Sequence, residues 1–189
     1  AGGRAARLLG GTTSARALER RAAELFGTDA ALLFPSGYQA NVGLLSTLVG
    51  PGDALFSDRL NHASLIDGAR LSRARVEVFA HNDLGDLDRR LARAGDARRR
   101  LVVVEGIFSM DGDVAPVAAL LELCERHDAW LVVDEAHAAG VVGPDGLGST
   151  AEHASHPRLA ARTITGGKAF GAAGALVVGP SELVELVAN

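Results

Sequence analysis

The chain has 189 residues, 48% of them hydrophobic and 22% charged, with a net charge of −4. That is enough apolar material for one domain or one large lobe, and it excludes a disordered chain. The 23 Gly and 6 Pro show no triplet repeat, no basic stripe with interleaved aromatics marks a nucleic-acid partner, and a single Cys excludes a disulfide framework or a thiolate zinc cluster and suits a reducing cytoplasm.

In chain order, Thr12-Thr13-Ser14 precedes a helix with Leu18, Ala22 and Leu25 on one face, closed by Gly27. Residues 30–34 read as a strand, Pro35-Ser36-Gly37 as a turn and residues 38–49 as a helix. After Pro51-Gly52 come a strand at 54–57 and a helix at 62–72. A strand at 76–80 and an amphipathic helix at 84–94 carrying Arg89, Arg90 and Arg93 follow. The runs 101–104 and 130–133 are apolar throughout and flank a helix at 117–127, with two more short strands at 163–165 and 175–178. The chain opens Ala-Gly-Gly without Met and stops inside a helical stretch, so a fragment is expected. No apolar run reaches the ~20 residues of a membrane helix, and no secretory leader is visible.

Strands apolar on both faces, alternating with helices, predict an α/β fold: a mainly parallel sheet sandwiched by helices. In such sheets ligands sit beyond the carboxyl ends of the strands. The polar residues that directly follow apolar strands should therefore converge on one crevice. They are Ser36-Gly37, Glu105 to Ser109, Asp134-Glu135-Ala136-His137 and Thr165-Gly166-Gly167-Lys168.

Lys168 stands among glycines and is the one Lys in a chain that uses Arg at its 18 other cationic positions. A desolvated amine becomes a nucleophile toward carbonyls, a role no guanidinium can take. Asp134 ends an apolar strand, where a carboxylate is costly unless a cation meets it. It fits either a loop hydrogen bond or the partner of a protonated pyridine nitrogen. His137, three residues on, would reach the same ring's oxygen. Ser36-Gly37-Tyr38 opens a helix and offers free N–H groups to an anion, with Thr165 as a second donor. His62 begins its helix and could stack on an aromatic cofactor or cap that helix. Asp134 to His137 also spell the DEAH box of nucleic-acid-dependent ATPases. Those need a P-loop, and here Ala169 follows the lysine and Arg162 stands where its first Gly would fall. His153 and His156 lack the further ligands a metal site requires.

Five stretches in register carry a resemblance. They are Phe34-Pro-Ser-Gly-Tyr-Gln-Ala-Asn41, Asp58-Arg-Leu-Asn-His-Ala-Ser-Leu65, Glu105-Gly-Ile-Phe-Ser-Met-Asp-Gly-Asp113, Asp134-Glu-Ala-His-Ala-Ala-Gly140 and Thr165-Gly-Gly-Lys-Ala-Phe-Gly171. With Gly10-Gly11-Thr12 at its start, the chain resembles the α-oxoamine synthases, fold type I pyridoxal-phosphate enzymes. The resemblance implies that residues 1–189 are the large, cofactor-binding domain, without the N-terminal helix and the C-terminal small domain. It implies pyridoxal 5'-phosphate as cofactor. Lys168 would be its Schiff-base lysine and proton carrier, and Asp134 would pair with the pyridine nitrogen. His62 would stack on the ring, Ser109 and His137 would contact the ring-oxygen side, and Gly37, Tyr38 and Thr165 would hold the phosphate. The implied reaction is the decarboxylating condensation of an amino acid with an acyl-CoA or acyl-ACP thioester, in a cytoplasmic homodimer. The stretch Val78-Phe-Ala-His-Asn-Asp83 is most similar to the branch that joins L-alanine to a pimeloyl thioester. The glycine-using branch shares nearly every motif. A non-catalytic partner subunit of the same fold is the alternative of another class, and the presence of Lys168 with Asp134 and His137 argues against it.

Overall fold

The computed structural model describes residues 13–189, so Gly10, Gly11 and Thr12 lie outside the described residues. Seven strands form one sheet: β1 (Ala30–Phe34), β2 (Ala54–Asp58), β3 (Arg75–Phe79), β4 (Arg100–Glu105), β5 (Trp130–Asp134), β6 (Leu159–Thr165) and β7 (Ala175–Gly179). Their order is β1-β7-β6-β5-β4-β2-β3, and β3, β2, β4, β5 and β6 are mutually parallel. Only β7 runs the other way, antiparallel to both β6 and β1. The expected mainly parallel α/β fold is what forms.

The helices are α1 (Thr13–Leu25), α2 (Gly37–Leu48), α3 (Ala63–Ser72), α4 (Leu84–Arg93), α5 (Val117–Arg126) and α6 (Ser181–Ala188). Alternation along each strand distributes the core. Val102, Val104, Leu131 and Val133 pack with Leu87, Leu91, Leu120 and Leu121 of α4 and α5. Leu101, Val103 and Val132 face the other way, toward Leu44, Leu45 and Leu65 of α2 and α3 and Val184 of α6. Each fully buried Leu contributes about 1.5–3 kcal/mol. The same parity puts Glu105, Asp134 and Thr165, at three strand ends, on the α2/α3 face. Among the described residues no helix is long and apolar enough to cross a membrane.

Two local expectations are corrected. The inward face of α1 is Glu19, Ala22 and Ala23 with Phe26 beyond its end, whereas Leu18 and Leu25 are exposed. Small side chains let α1 lie close on the sheet, and buried Glu19 accepts the Leu33 N–H at 2.9 Å. Strand β6 starts four residues earlier than its apolar pattern indicates, because Arg162 lies buried within it. The Arg162 guanidinium donates to the Phe26 carbonyl just beyond the end of α1 and lies over the Phe26 ring.

Candidate active site

The carboxyl ends of β4, β5 and β6, with the start of α2 and the β2–α3 turn, enclose a cavity of about 410 Å³. Gly37, Tyr38, His62, Ser109, Asp134, His137, Thr165 and Lys168 all line it, so every residue expected to hold the cofactor reaches one place, whereas Ser36, Glu135, Gly166 and Gly167 do not line it. Asn41, Ser64, Glu105 and Ala136 line it as well.

Asp134 is the buried floor. Its Oδ2 accepts from Asn41 Nδ2 at 2.6 Å and its Oδ1 from the Ala136 N–H at 3.0 Å. Burial raises the Asp134 carboxyl above the usual carboxylate range, against the pull of those two hydrogen bonds. Glu105 is its cross-strand neighbour in register. Burial, with the Asp134 charge adding to it, pushes Glu105 up to about 7. The Ser109 N–H donates to Glu105 Oε2 at 3.2 Å, which ties the loop after β4 to the floor.

His62 caps α3, accepting the Ser64 N–H on Nδ1 at 3.2 Å, so the capping role is realised while its ring still borders the cavity. Asn41 Nδ2 reaches Ser64 Oγ at 2.9 Å, and Ser64 Oγ lies 2.8 Å from His62 Nδ1. Burial lowers the His137 imidazole below the ordinary histidine value, and the Lys168 charge adds to that effect. Lys168 itself stands exposed on the β6–β7 turn, so the chain alone does not desolvate its amine as the sequence suggests. That turn is closed by Gly166 N–H to Gly174 O at 2.9 Å and Ala172 N–H to Gly166 O at 2.9 Å. Gly174, at φ +97°, takes a backbone conformation that L side chains rarely adopt.

At the rim, Ser36 caps α2 by accepting the Gln39 N–H, while the N–H groups of Gly37 and Tyr38 have no partner among the described residues. A Cβ on Gly37 would stand 2.6 Å from Thr165 Oγ1, so the glycine is what brings that hydroxyl against the helix start. The two free N–H groups, the dipole of α2 and the Thr165 hydroxyl face one spot and can accept an anion there. The Tyr38 phenol points away to Asp67 Oδ2 at 2.7 Å, which leaves its backbone N–H as its contribution. Glu135, the acidic residue of the DEAH-like stretch, is fully buried and accepts from the backbone and hydroxyls of Ser149 and Thr150. It anchors a loop.

Sequence reasoning passed over Asn41 and Ser64 and gave Glu105 no role. Asn41 lies one helical turn beyond Gly37, on the same face of α2, and that spacing was the available signal. Glu105 directly follows an apolar strand, the pattern that selects Asp134.

A mostly parallel α/β sheet with helices on both faces is the architecture of the fold type I pyridoxal-phosphate transferases. The chain belongs to the aminotransferase class I and II family, whose pattern matches residues 2–189. A relative from Azoarcus sp. (strain BH72), named 8-amino-7-oxononanoate synthase, is 55% identical over 170 residues, covering 89% of this chain and 43% of that protein. Among solved structures, a serine palmitoyltransferase from S. paucimobilis that holds PLP superposes with a TM-score of 0.88 at 36% identity, over 96% of this chain and 46% of that one. The 8-amino-7-oxononanoate synthase from Francisella tularensis gives 0.82 at 31%, over 93% and 50%. The chain spans about half the length of the curated relatives it matches.

Proposed function

We propose that this chain is the cofactor-binding large domain of a pyridoxal-phosphate-dependent acyltransferase, an 8-amino-7-oxononanoate synthase. It would join L-alanine to a pimeloyl thioester with loss of carbon dioxide, in biotin synthesis. The observation that carries the reading is the convergence of Lys168, Asp134, His62 and the Gly37–Thr165 cradle on one cavity. Relatives at about half identity carry that enzyme's name.

The residues fit the cofactor. A carboxylate held on a buried floor by two donors suits a protonated pyridine nitrogen, and a cradle that a Cβ would fill suits a phosphate. Once bound, the group supplies an aldehyde for an amine and a ring that accepts the negative charge developing at the amino acid's Cα. Lys168 Nζ would hold that aldehyde and would carry the proton of the amino acid's Cα. Asp134, steadied by Asn41 and Ala136, keeps the proton on the pyridine nitrogen. His62 would cover the ring face, Ser109 and His137 would hold the ring oxygen, and Gly37, Tyr38 and Thr165 would bind the phosphate. As in the fold type I pattern, a cytoplasmic homodimer is proposed.

The test is an assay of the full-length protein with alanine, glycine and serine against acyl thioesters of several lengths. Preference for alanine with a pimeloyl thioester supports the reading. Because the serine palmitoyltransferase superposes as well as the synthase does, serine or glycine as the preferred amino acid would place the chain in another branch of the family.

A further inference from the structure

Four groups of the cavity, Asp134, Asn41, Ser64 and His62, form one hydrogen-bonded line. Asn41 of α2 is 1% exposed, and so is Ser64 in the first turn of α3. Asn41 Nδ2 is 2.6 Å from Asp134 Oδ2 and 2.9 Å from Ser64 Oγ. Ser64 Oγ is in turn 2.8 Å from His62 Nδ1.

An ionised carboxylate only accepts hydrogen bonds, so the Asn41 edge that meets Asp134 must be the amide nitrogen. Its second proton then points to Ser64 Oγ, which accepts it. The Ser64 backbone N–H, 3.2 Å away, makes His62 Nδ1 an acceptor, so the Ser64 hydroxyl, already accepting from Asn41, donates its proton to that nitrogen. Both contacts on Nδ1 are therefore donors, and Nδ1 can only be a lone pair.

We propose that Asn41 is a positioning residue which, through the Ser64 hydroxyl, holds His62 in the tautomer with its proton on Nε2 and ties that choice to the ionised state of Asp134. The inference rests on the function proposed above, because a bound pyridinium is what keeps Asp134 ionised. The other titratable groups around the ring are Glu105 on β4, whose side chain meets the His62 backbone, His137 after β5, and Lys168 on the β6–β7 turn. None of them hydrogen-bonds to Nδ1, so the Ser64 backbone N–H and the hydroxyl that Asn41 orients set the proton between them.

The experiment is nitrogen NMR on the full-length, cofactor-loaded protein labelled with ¹⁵N-histidine, with His62 assigned by difference from His62→Gln. Visible absorbance measures cofactor uptake in the same samples. The expected result is a protonated Nε2 and a bare Nδ1 in the wild type. In Asn41→Leu the ratio of tautomers shifts toward Nδ1–H by about tenfold, the equivalent of one hydrogen bond. Ser64→Ala, which keeps the backbone cap but loses the hydroxyl, shifts it in the same direction and serves if Asn41→Leu does not fold. A wild-type protein that takes up cofactor with its proton on Nδ1 overturns the inference and leaves the function standing. So does a tautomer ratio unchanged in the foldable variants. A wild-type protein that takes up no cofactor overturns the function and the inference with it.

Discussion

Three side chains each give a prediction, and the first separates binding from chemistry. Asp134→Asn keeps the shape of the floor but holds the pyridine proton poorly. Cofactor binding should persist while turnover falls by about 10²–10³-fold, the scale of losing one preorganised electrostatic contact; near-normal rates would contradict the role. Glu105 makes a pH prediction on the cofactor-free protein. Its carboxyl rises from 4.5 to about 7 on folding, so the native state holds a proton that the unfolded chain releases. Stability is then lost as pH rises from about 4.5 through 7, and Glu105→Gln should flatten that slope in denaturant titrations. On the opposite face of the sheet, His81 bridges Asp58 Oδ1 and Asp113 Oδ2, each at 2.9 Å. Burial works against its charge, and the two carboxylates outweigh that, so its pKa is raised. The clamp is complete at low pH and is lost as pH rises through that raised value. His81→Asn should cost about 1–3 kcal/mol at pH 6, where the charged hydrogen bonds are intact, and less at alkaline pH.

At the scale of elements, the site depends on how closely α2 and α3 approach. A Cβ on Gly68 would lie 3.0 Å from the Asn41 carbonyl and 3.2 Å from Leu45 Cβ, so Gly68→Ala should push α3 off α2. The expected cost is about 1–3 kcal/mol in thermal or denaturant unfolding, with weakened cofactor uptake as Ser64 and His62 move with α3. Most elements were readable because the parallel strands are short apolar runs bounded by turn residues, and β1 falls at the residues its pattern indicates. The face of α1 was not readable. Leucines mark the inward side of a helix only where there is room for them, and here alanines sit against the sheet while the leucines stay outside. Strand β7 has the same apolar composition as its parallel neighbours, and only its short, glycine-closed turn from β6 reveals its reversed direction. In the site, Asp134 and Lys168 stood out by contrast with their neighbours. Asn41 and Ser64 are ordinary polar residues in helices, and only packing shows that each is buried against a partner.

For the whole molecule, one sheet with helices on both faces gathers the polar residues of the candidate site into one crevice at its strand ends, and much of the rest of the described chain is its support. Cys124 reports on that support. It is fully buried in the α4/α5 core, and burial pushes its thiol up to about 12. A thiol reagent should therefore label it only at the rate of global unfolding; rapid labelling of the native protein would mean the core is open. The proposed chemistry turns on Lys168 and Asp134 facing one cofactor in that crevice. The most direct measurement is to load the full-length protein with pyridoxal phosphate, reduce it with borohydride and map the modified residue by mass spectrometry. A phosphopyridoxyl group on Lys168, absent in Lys168→Ala, is the predicted result. A group on another residue, or no group on a protein that has taken up the cofactor, would contradict it.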